Sequence, residues 1–419
     1  MKKKCLFALY AFDPFANANT NVALPLLNEL IKFYDVDLVT LNNNNSAPVK
    51  EKLGNINIYR YKKQNKFLEK IQVLYYLDLT KKRPLKTQAL LAVGKAISVF
   101  LHIFPFFKHP EYRELKRLLA QNQYSLIFST CESFLSCWHL SILKKKRYFN
   151  AKFVVYFMDP FCLYYKNLDC KKYYVMEQNV YELSDLVLMT NEIYRQNLKN
   201  QFSVFIDKMR PFSFCNYKPY YEEFEWDGFV KDKINVVYAG SLISESVRDP
   251  SYFLRLAARF PDNIAVHMIC NNISQEKKEK YFKITNINKN IFWHENISFQ
   301  KCRKILCNSA ILVNLSNRIS NQTPSKVFDY MSTGLPIINF YSIEDDCSNA
   351  YLKYYPLSLL INERDDIEAN ASVILSFVEN ECKKHISKQA EDSLHHLFDS
   401  QRLVYNIVHD VNELVDTDE

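Results

Sequence analysis

The feature that most constrains the fold is a repeated alternation of short apolar runs with longer stretches of helical periodicity. The apolar runs are rich in β-branched and aromatic residues, which favour buried strands. Strands that alternate with helices are typical of βα units and parallel sheets, so the predicted fold class is α/β. The predicted strands are residues 5–10, 36–41, 56–61, 125–129, 153–157, 186–190, 235–239, 265–270, 291–293, 310–315, 335–340 and 357–361. The predicted helices are residues 22–33, 111–121, 173–183, 250–260, 275–282, 299–307, 325–333 and 400–414.

The alternation is interrupted once, in residues 211–233, where Pro211, Pro219 and Gly228 stand among crowded aromatic residues. A chain of 419 residues is longer than one ordinary core requires and suits two domains. We therefore predict domains at 1–210 and 234–399, a linker at 211–233 and a terminal helical segment at 400–419. Ligands of parallel sheets bind beyond the carboxyl ends of the strands, so a ligand is expected between the two domains.

Charge is unevenly distributed along the chain. Residues 1–210 hold 32 basic and 17 acidic side chains, whereas the remainder holds 22 basic and 29 acidic ones. The basic half indicates either contact with an anionic surface or polymer, or a biased solvated face. No recognised nucleic-acid module accompanies the charge, so nucleic acid is the least favoured partner.

Cysteine usage and hydropathy limit where such a chain can work. The eleven cysteines include no C-x-x-C pair and no Cys/His cluster at zinc spacing, which predicts a reducing compartment and no structural metal. The apolar run after Met1 ends at Asp13 without a cleavage site and is interpreted as a buried strand. The apolar segment 85–107 contains lysines, and its uncharged part 96–107 is too short to span a bilayer.

The strongest functional signal is segment 314–338, which is typical of strand, loop, helix, tight turn and strand. Residues 324–331 are Pro-Ser-Lys-Val-Phe-Asp-Tyr-Met, and Gly-Leu-Pro follows at 334–336. Pro324 suits the first turn of a helix, whose amides can hold a phosphate beside the charge of Lys326. Asp329 lies one turn later on the same face, where it can accept hydrogen bonds from a ribose diol.

A second patch precedes this motif. Predicted strand 235–239 is followed by Gly240 and Ser241, and then by Arg248. A glycine at that place lets the backbone approach a diphosphate. Arg248 either adds a charge to the same phosphate site or is a solvated charge at a helix start.

The order Pro-Ser-Lys-x-x-Asp-Tyr-Met-x-x-Gly-x-Pro resembles the donor-binding signature of GT-B glycosyltransferases. The likeness is to the large glycosyltransferase group 1, or family 4-like, enzymes of bacterial polysaccharide assembly. It implies two Rossmann-like domains facing a central cleft, with acceptor binding in the first, nucleotide-sugar binding in the second and helix 400–414 crossing back. It also implies that Lys326 and Arg248 bind the donor diphosphate. The donor-binding residues that it implies are Gly240, Ser241, Asn321, Thr323, Pro324, Ser325 and Asp329.

Two departures from the family pattern leave part of the chemistry open. Many retaining members carry two glutamates separated by seven residues, and here Asn321 and Asp329 stand at those positions. The donor sugar and the stereochemical outcome are therefore not predicted. The glycine-rich loop after the first strand is replaced by residues 13–21, in which Asp13, Asn17 and Asn19 are acceptor-side candidates.

No cofactor and no metal are expected, so the two cations and the helix amides would stabilise the leaving diphosphate. Inversion would also need a base for the acceptor hydroxyl. Asp159 is the first candidate, although Asp-Pro equally suits a turn or a helix cap. Asp13 and Glu132 are the other candidates for this role. His294 follows a predicted strand and is interpreted as structural rather than as part of the base pocket.

The basic half has a possible physical use. Basic clusters at 81–86 and 144–147 lie near aromatic helix-like segments, which suits an anionic membrane surface. The resemblance implies a glycan or lipid-linked glycan acceptor, and hence a cytoplasmic enzyme peripheral to the inner face of the cell membrane. A buried helix pair with lysines at its solvent edge would explain the same pattern. The sequence does not predict the oligomeric state.

Two other functions fit the same architecture. A nucleotide-sugar epimerase would need paired acidic groups with histidines, and the first half shows no such cluster in sequence. A catalytically silent protein that binds a sugar nucleotide within a glycan-assembly complex is the second alternative, because Asn321 replaces an acidic residue.

Overall fold

The structure is a computed structural model. It describes residues 2–13, 18–42, 47–62, 109–132, 134–162, 170–213, 217–242, 247–271, 273–285, 290–322 and 325–417. The chain divides into two compact units: unit 1 is Met1–Phe214 with Gln401–Glu419, and unit 2 is Cys215–Ser400. The boundary after residue 214 lies inside the segment 211–233, where the alternation of strands and helices breaks.

Unit 1 is built on one sheet. Its strands are β1 Lys3–Ala8, β2 Tyr34–Asn42, β3 Lys50–Leu53, β4 Ile56–Lys62, β5 Leu126–Thr130, β6 Lys152–Phe157, β7 Leu186–Met189 and β8 Met209–Pro211. Its helices are α1 Ala18–Leu30, α2 Pro110–Gln121, α3 Phe134–Lys145, α4 Cys170–Leu183, α5 Asn191–Asn197, a 3₁₀ helix Gln201–Lys208 and a helix that follows unit 2 in the chain. The strand order is β3-β4-β2-β1-β5-β6-β7-β8, and only β3 is antiparallel to its neighbour. The order reverses between β1 and β5.

Strand residues of unit 1 alternate between two apolar clusters, one on each face of the sheet. Along β1, Leu6 and Ala8 belong to one cluster, while Cys5 and Phe7 belong to the other. This period of two is what buries both faces of a parallel sheet.

Unit 2 has a six-stranded parallel sheet. Its strands are β9 Ile234–Ala239, β10 Ile264–Ile269, β11 Ile291–His294, β12 Ile311–Leu315, β13 Ile337–Tyr341 and β14 Ser358–Asn362. Its helices are α6 Ser251–Ala257, α7 Gln275–Thr285, α8 Phe299–Cys307, α9 Lys326–Met331, α10 Cys347–Leu352, α11 Ile367–Glu381 and α12 Lys388–Leu397. The strand order is β11-β10-β9-β12-β13-β14, so it reverses between β9 and β12.

The helix that follows unit 2 in the chain, α13 Ser400–Asp416, belongs to unit 1. Its apolar residues recur at helical spacing and join the cluster of β1 that contains Phe7. Those residues are Val404, Ile407, Val408, Val411 and Val415. Helix α13 is therefore part of the core of unit 1.

The predicted α/β class and the two parallel-sheet domains are confirmed, and each predicted strand is present within three residues of its predicted bounds. Strands β3 and β8, which are short, were not predicted, and neither were helices such as α3 and α11. Cys131 and Cys137 form a disulfide, which the expectation of a reducing compartment did not anticipate. Among the described residues, no helix is both long and apolar enough to cross a membrane. The apolar segment 85–107 lies outside the described residues.

Candidate donor site

The candidate site of unit 2 lies where β9 and β12 end. These neighbouring parallel strands flank the point at which the strand order reverses. The crevice beyond the carboxyl ends of strands at such a reversal is where open α/β sheets bind ligands. Gly240 follows β9 directly, and Asn317 follows β12 after one residue. The two motifs that the sequence singled out therefore converge on one place.

Helix α9 is hydrogen-bonded to the end of β9 through Tyr330. The buried hydroxyl of Tyr330 accepts a hydrogen bond from the Ala239 N–H and donates one to the Ala239 carbonyl, both at 2.9 Å. Both backbone groups belong to the last residue of the strand, and buried backbone groups need hydrogen-bond partners. This pair of bonds fixes where Lys326, at the start of α9, stands relative to Gly240.

The Lys326 amine is buried against the loop after β9. Its Nζ lies 4.3 Å from the ring centroid of Tyr238, and it has no hydrogen-bond partner among the described residues. A Cβ at Gly240 would come 3.0 Å from this Nζ and 2.8 Å from the Tyr238 hydroxyl. The glycine is thus required here for close approach. Its backbone is not among those with positive φ, in contrast to that of Gly334, whose φ of 75° suits the turn after α9.

Arg248 is the second cation of the site. It donates from Nη1 to the Ser241 carbonyl at 3.1 Å and from Nη2 to Asn317 Oδ1 at 2.6 Å, while its Nε has no partner in the described chain. Burial lowers the pKa of Lys326 well below its usual value, and the charge of Arg248 lowers it further. Neither cation has a carboxylate partner among the described residues. An anion here would pair with Arg248 and favour the protonated form of Lys326, so the two side chains together form a candidate anion site.

The loops after β9 and β12 are tied to each other. The Arg318 N–H donates to the Val247 carbonyl at 2.7 Å, and the Arg318 guanidinium contacts Glu363 at 3.0 Å. Ser316 donates toward Asn339 and toward Asp346, at 3.0 and 3.1 Å, in a buried polar network. These contacts therefore fix the backbone of the loops that follow β9 and β12.

Asp329 lies one turn after Lys326 and is mostly buried. Burial raises its pKa from 3.8 to about 6, against the opposing charge of Arg303. Arg303, which sequence analysis missed, is on α8 and stacks 4.2 Å from the ring centroid of Tyr220. Water solvates a carboxylate poorly in such an environment, and hydroxyl groups of a ligand could donate hydrogen bonds to it instead.

The remaining predicted donor residues fall into two groups. Ser241 and Ser325 are exposed, and Asn321 is 5% exposed. Thr323 and Pro324 lie outside the described residues. Helix α9 begins at Lys326 and has six residues, so the charge at this site comes chiefly from the two side chains rather than from a helix dipole.

The predicted acceptor-side residues follow strands at the corresponding edge of unit 1. Asp13 lies beyond β1, Glu132 beyond β5 and Asp159 beyond β6, and these three strands are neighbours. Asn19 is in the first turn of α1, and Asn17 lies outside the described residues. The reversal of strand order between β1 and β5 makes this edge a second candidate site.

Two further residues named from sequence have structural surroundings. His294 Nε2 lies 3.1 Å from His267 Nδ1, and His267 Nε2 lies 2.8 Å from Asn235 Oδ1. Asn235 donates its amide to two backbone carbonyls, so His267 must donate from Nε2 and accept at Nδ1. Burial lowers the pKa of His294. These contacts fit the structural role that was predicted for His294.

The chain resembles known proteins in structure but not detectably in sequence. No protein-family model matches the chain, and no curated protein matches it. A sucrose-phosphate synthase from Thermosynechococcus elongatus is similar over 99% of this chain and 100% of its own, at 13% identity and a TM-score of 0.66. The lipopolysaccharide outer core galactosyltransferase WaaB is similar over 97% and 99%, at 15% identity and a TM-score of 0.58. Anabaena Alr3699/HepE, solved in complex with UDP, is similar over 98% and 100%, at 9% identity and a TM-score of 0.64.

These proteins define the class of fold. Two parallel-sheet units with this strand order, matched over the whole chain by such structures, constitute the GT-B fold. The fold predicted from the donor-like motif is thereby confirmed.

Proposed function

We propose that the chain is a glycosyltransferase that moves a sugar from a nucleoside diphosphate donor to a glycan or lipid-linked glycan. The observation that carries the proposal is the pair of cations, Lys326 and Arg248, which meet beyond β9 and β12 without a carboxylate partner in the described chain. A diphosphate would supply the missing negative charge. Proteins of this fold that bind UDP support the assignment.

The chemistry needs charge stabilisation more than it needs covalent help. As the bond between the sugar carbon and the diphosphate oxygen breaks, the electron pair leaves with the diphosphate, whose charge grows. Lys326 and Arg248 lie beyond the carboxyl ends of β9 and β12, where they would stabilise that charge. We propose that the donor site works without a metal, because these two side chains supply the positive charge.

Asp329 would hold the ribose of the donor. A carboxylate accepts hydrogen bonds from both hydroxyls of a diol. Its position on the same helix face as Lys326 suits a ribose and a diphosphate that belong to one nucleotide. Asn321, at the position of the glutamate of many retaining relatives, offers a neutral amide instead, so the sugar is left open.

The acceptor hydroxyl would lose its proton to a carboxylate of unit 1. We propose Asp159 as this base, with Asp13 and Glu132 as the alternatives, because all three follow strands at one edge of the sheet. The acceptor oxygen then forms its bond to the sugar carbon as the diphosphate leaves.

A role in bacterial surface polysaccharide assembly is the finer part of the proposal. WaaB, of the same fold, is a lipopolysaccharide galactosyltransferase, whereas another similar structure is a sucrose-phosphate synthase. We further propose work in the cytoplasm at the inner face of the membrane, with basic residues 144–147 at the end of α3 facing anionic lipid. The cluster at 81–86 and its aromatic neighbours lie outside the described residues.

The test begins with a thermal-shift screen of nucleotide sugars, because a bound donor stabilises the folded state. Donor affinity and transfer rate are then measured for Lys326→Met and Asp159→Asn. Lys301→Met on α8, an exposed lysine, is the matched control. We expect Lys326→Met to lose transfer, Asp159→Asn to lose transfer with donor affinity kept, and the control to lose neither. Full transfer by Lys326→Met with the true donor would refute the site.

One observation bears on the epimerase alternative. The fold brings His109, Glu111 and His139 together in unit 1, but this cluster holds one carboxylate and not the paired acidic groups that an epimerase would need. Glu111 and His139 are 2% and 0% exposed, so neither is open to a sugar nucleotide. The cluster therefore does not favour epimerisation. Donor hydrolysis without transfer would favour that reading, and tight donor binding without turnover would favour a silent binding protein.

A further inference from the structure

Unit 1 holds a cluster of ionisable side chains that sugar transfer does not use. Glu111 is in the first turn of α2, and its carboxylate lies 2.8 Å from His139 Nδ1 on α3. The ring of His109, the residue before α2, has its centroid 4.7 Å from that of His139. One ring nitrogen from each histidine and one oxygen of Glu111 all lie within 4.8 Å of one another.

The carboxylate is held in a fixed orientation. Ser136 donates to Glu111 at 2.5 Å, and the Tyr61 hydroxyl of β4 hydrogen-bonds the same side chain. Glu111 is 2% exposed, so these hydrogen bonds fix its carboxylate in a place that excludes water.

His109 contributes a nitrogen with no protein partner. Its Nδ1 is buried and has no hydrogen-bond partner among the described residues. A buried imidazole nitrogen without a hydrogen-bond partner is available to a metal ion.

We propose that His109, Glu111 and His139 bind a divalent transition metal ion, Zn²⁺ in the first instance. Two imidazoles and one carboxylate are a ligand set that zinc uses when three protein groups bind it. Bond lengths of about 2.0–2.2 Å place tetrahedral ligand atoms roughly 3.3 Å apart, so the observed limit of 4.8 Å needs only small side-chain movements. The ion joins the start of α2 to α3 and takes up the charge of the buried Glu111.

A metal ion at this site would contradict the sequence expectation of no structural metal. The pair His109 and Glu111 is separated by one residue, and His139 comes 28 residues after Glu111 along the chain. That pattern matches no short zinc motif, so only the packing of α2 on α3 shows it.

The test uses the full chain, stripped with a chelator and titrated with Zn²⁺ and with Co²⁺. We expect one ion per chain, and an intense visible absorption from Co²⁺ in a four-coordinate site. His109→Gln should weaken binding at least 100-fold while leaving the melting temperature of the metal-free protein nearly unchanged, because this nitrogen makes no bond in the described chain. The matched control is His409→Gln, in an exposed cluster with Asp410 and Glu413 on α13, and it should bind as the wild type does.

Three results would overturn the proposal: no ion retained by the wild type, equal binding by His109→Gln, or loss of binding in His409→Gln. Should His109→Gln fail to fold, X-ray absorption of the zinc-loaded wild type decides. Two imidazole ligands support the site, and a shell without imidazole refutes it. Donor binding in unit 2 is measured on the same samples, and its presence or absence does not bear on the metal.

Discussion

Replacing Asp329 with asparagine should stabilise the folded protein while it weakens donor binding. The Asp329 pKa is raised from 3.8 to about 6 by burial. One pKa unit corresponds to about 1.4 kcal/mol, so an ionised Asp329 costs the fold about 3 kcal/mol as an upper limit. Because the side chain is partly exposed, we expect a gain of about 1–3 kcal/mol in the free energy of unfolding of Asp329→Asn at pH 7.

The pH dependence gives the sign of this effect. Between pH 4 and 6 the folded wild type binds more protons at Asp329 than the unfolded chain does, so its stability falls as pH rises through that window. Asparagine does not titrate. The stability difference between the variant and the wild type should therefore be small at pH 4, grow up to about pH 6 and stay constant above.

The assay is urea unfolding of both proteins at pH 4, 5, 6 and 8, with exposed Asp345→Asn as the control for loss of one carboxylate. Donor affinity is measured on the same preparations. A charge-assisted hydrogen bond is worth about 1.5–3 kcal/mol, so the variant should bind donor about 10- to 100-fold more weakly. A variant that is less stable than the wild type at pH 8, or a difference that is equal at all four pH values, would refute the reasoning.

Other perturbations test the donor site and the proposed membrane surface. Lys326→Met should cut the transfer rate about 10²–10³-fold, which a transfer assay measures. It should also raise the melting temperature in calorimetry, because it removes a buried amine without a partner in the described chain. Binding of UDP should be accompanied by uptake of a proton, because the phosphates raise the lowered pKa of Lys326. The calorimetric binding enthalpy should then change with the ionisation enthalpy of the buffer, and the affinity should fall as pH rises. A binding enthalpy that is the same in all buffers would contradict this. Gly240→Ala should push the amine of Lys326 aside, with a loss of donor affinity of at least tenfold by titration and about 1–3 kcal/mol of stability by urea unfolding. Tyr330→Phe should cost about 1–3 kcal/mol, because Ala239 loses partners for both its N–H and its carbonyl, and unchanged stability would show that water replaces the hydroxyl. Binding of the protein to anionic vesicles should disappear as salt rises to 1 M, where the Debye length is about 3 Å. Binding to neutral vesicles in a flotation assay would show that the attraction to the membrane is not electrostatic.

The sheets were predictable because their strands carry their own signal. Runs such as those of β9 and β12 are mostly apolar and contain β-branched residues, and such runs have few alternatives to a buried parallel strand. Strands β3 and β8 lack this signal, because β3 is a polar edge strand and β8 has only three residues. Helix α3 was missed because it is apolar on most of its surface, with Ser136 and His139 buried among the apolar residues, so no polar face marks it.

The donor motif was readable for a different reason. Lys326 and Asp329 are local to one short helix, so their spacing alone places them on one face. The partners of the site are not local: Arg248 meets Asn317 across 69 residues, and Tyr330 meets Ala239 across 91. Pairings at such separations depend on strand order, which no single segment of the sequence contains. That Lys326 has no carboxylate partner among the described residues could be seen only once the fold was known.

The place of α13 in unit 1 has a consequence for synthesis of the protein. Residues 215–400 form unit 2 as one uninterrupted stretch, whereas unit 1 needs Val404, Ile407 and their neighbours to finish a core that Phe7 and Leu38 begin. On the ribosome, unit 2 therefore has all of its chain before unit 1 does. Until α13 emerges, the earlier part of unit 1 carries an uncovered apolar face. During that interval, the part of unit 1 that is synthesised first is the part of the protein most exposed to aggregation and to chaperones.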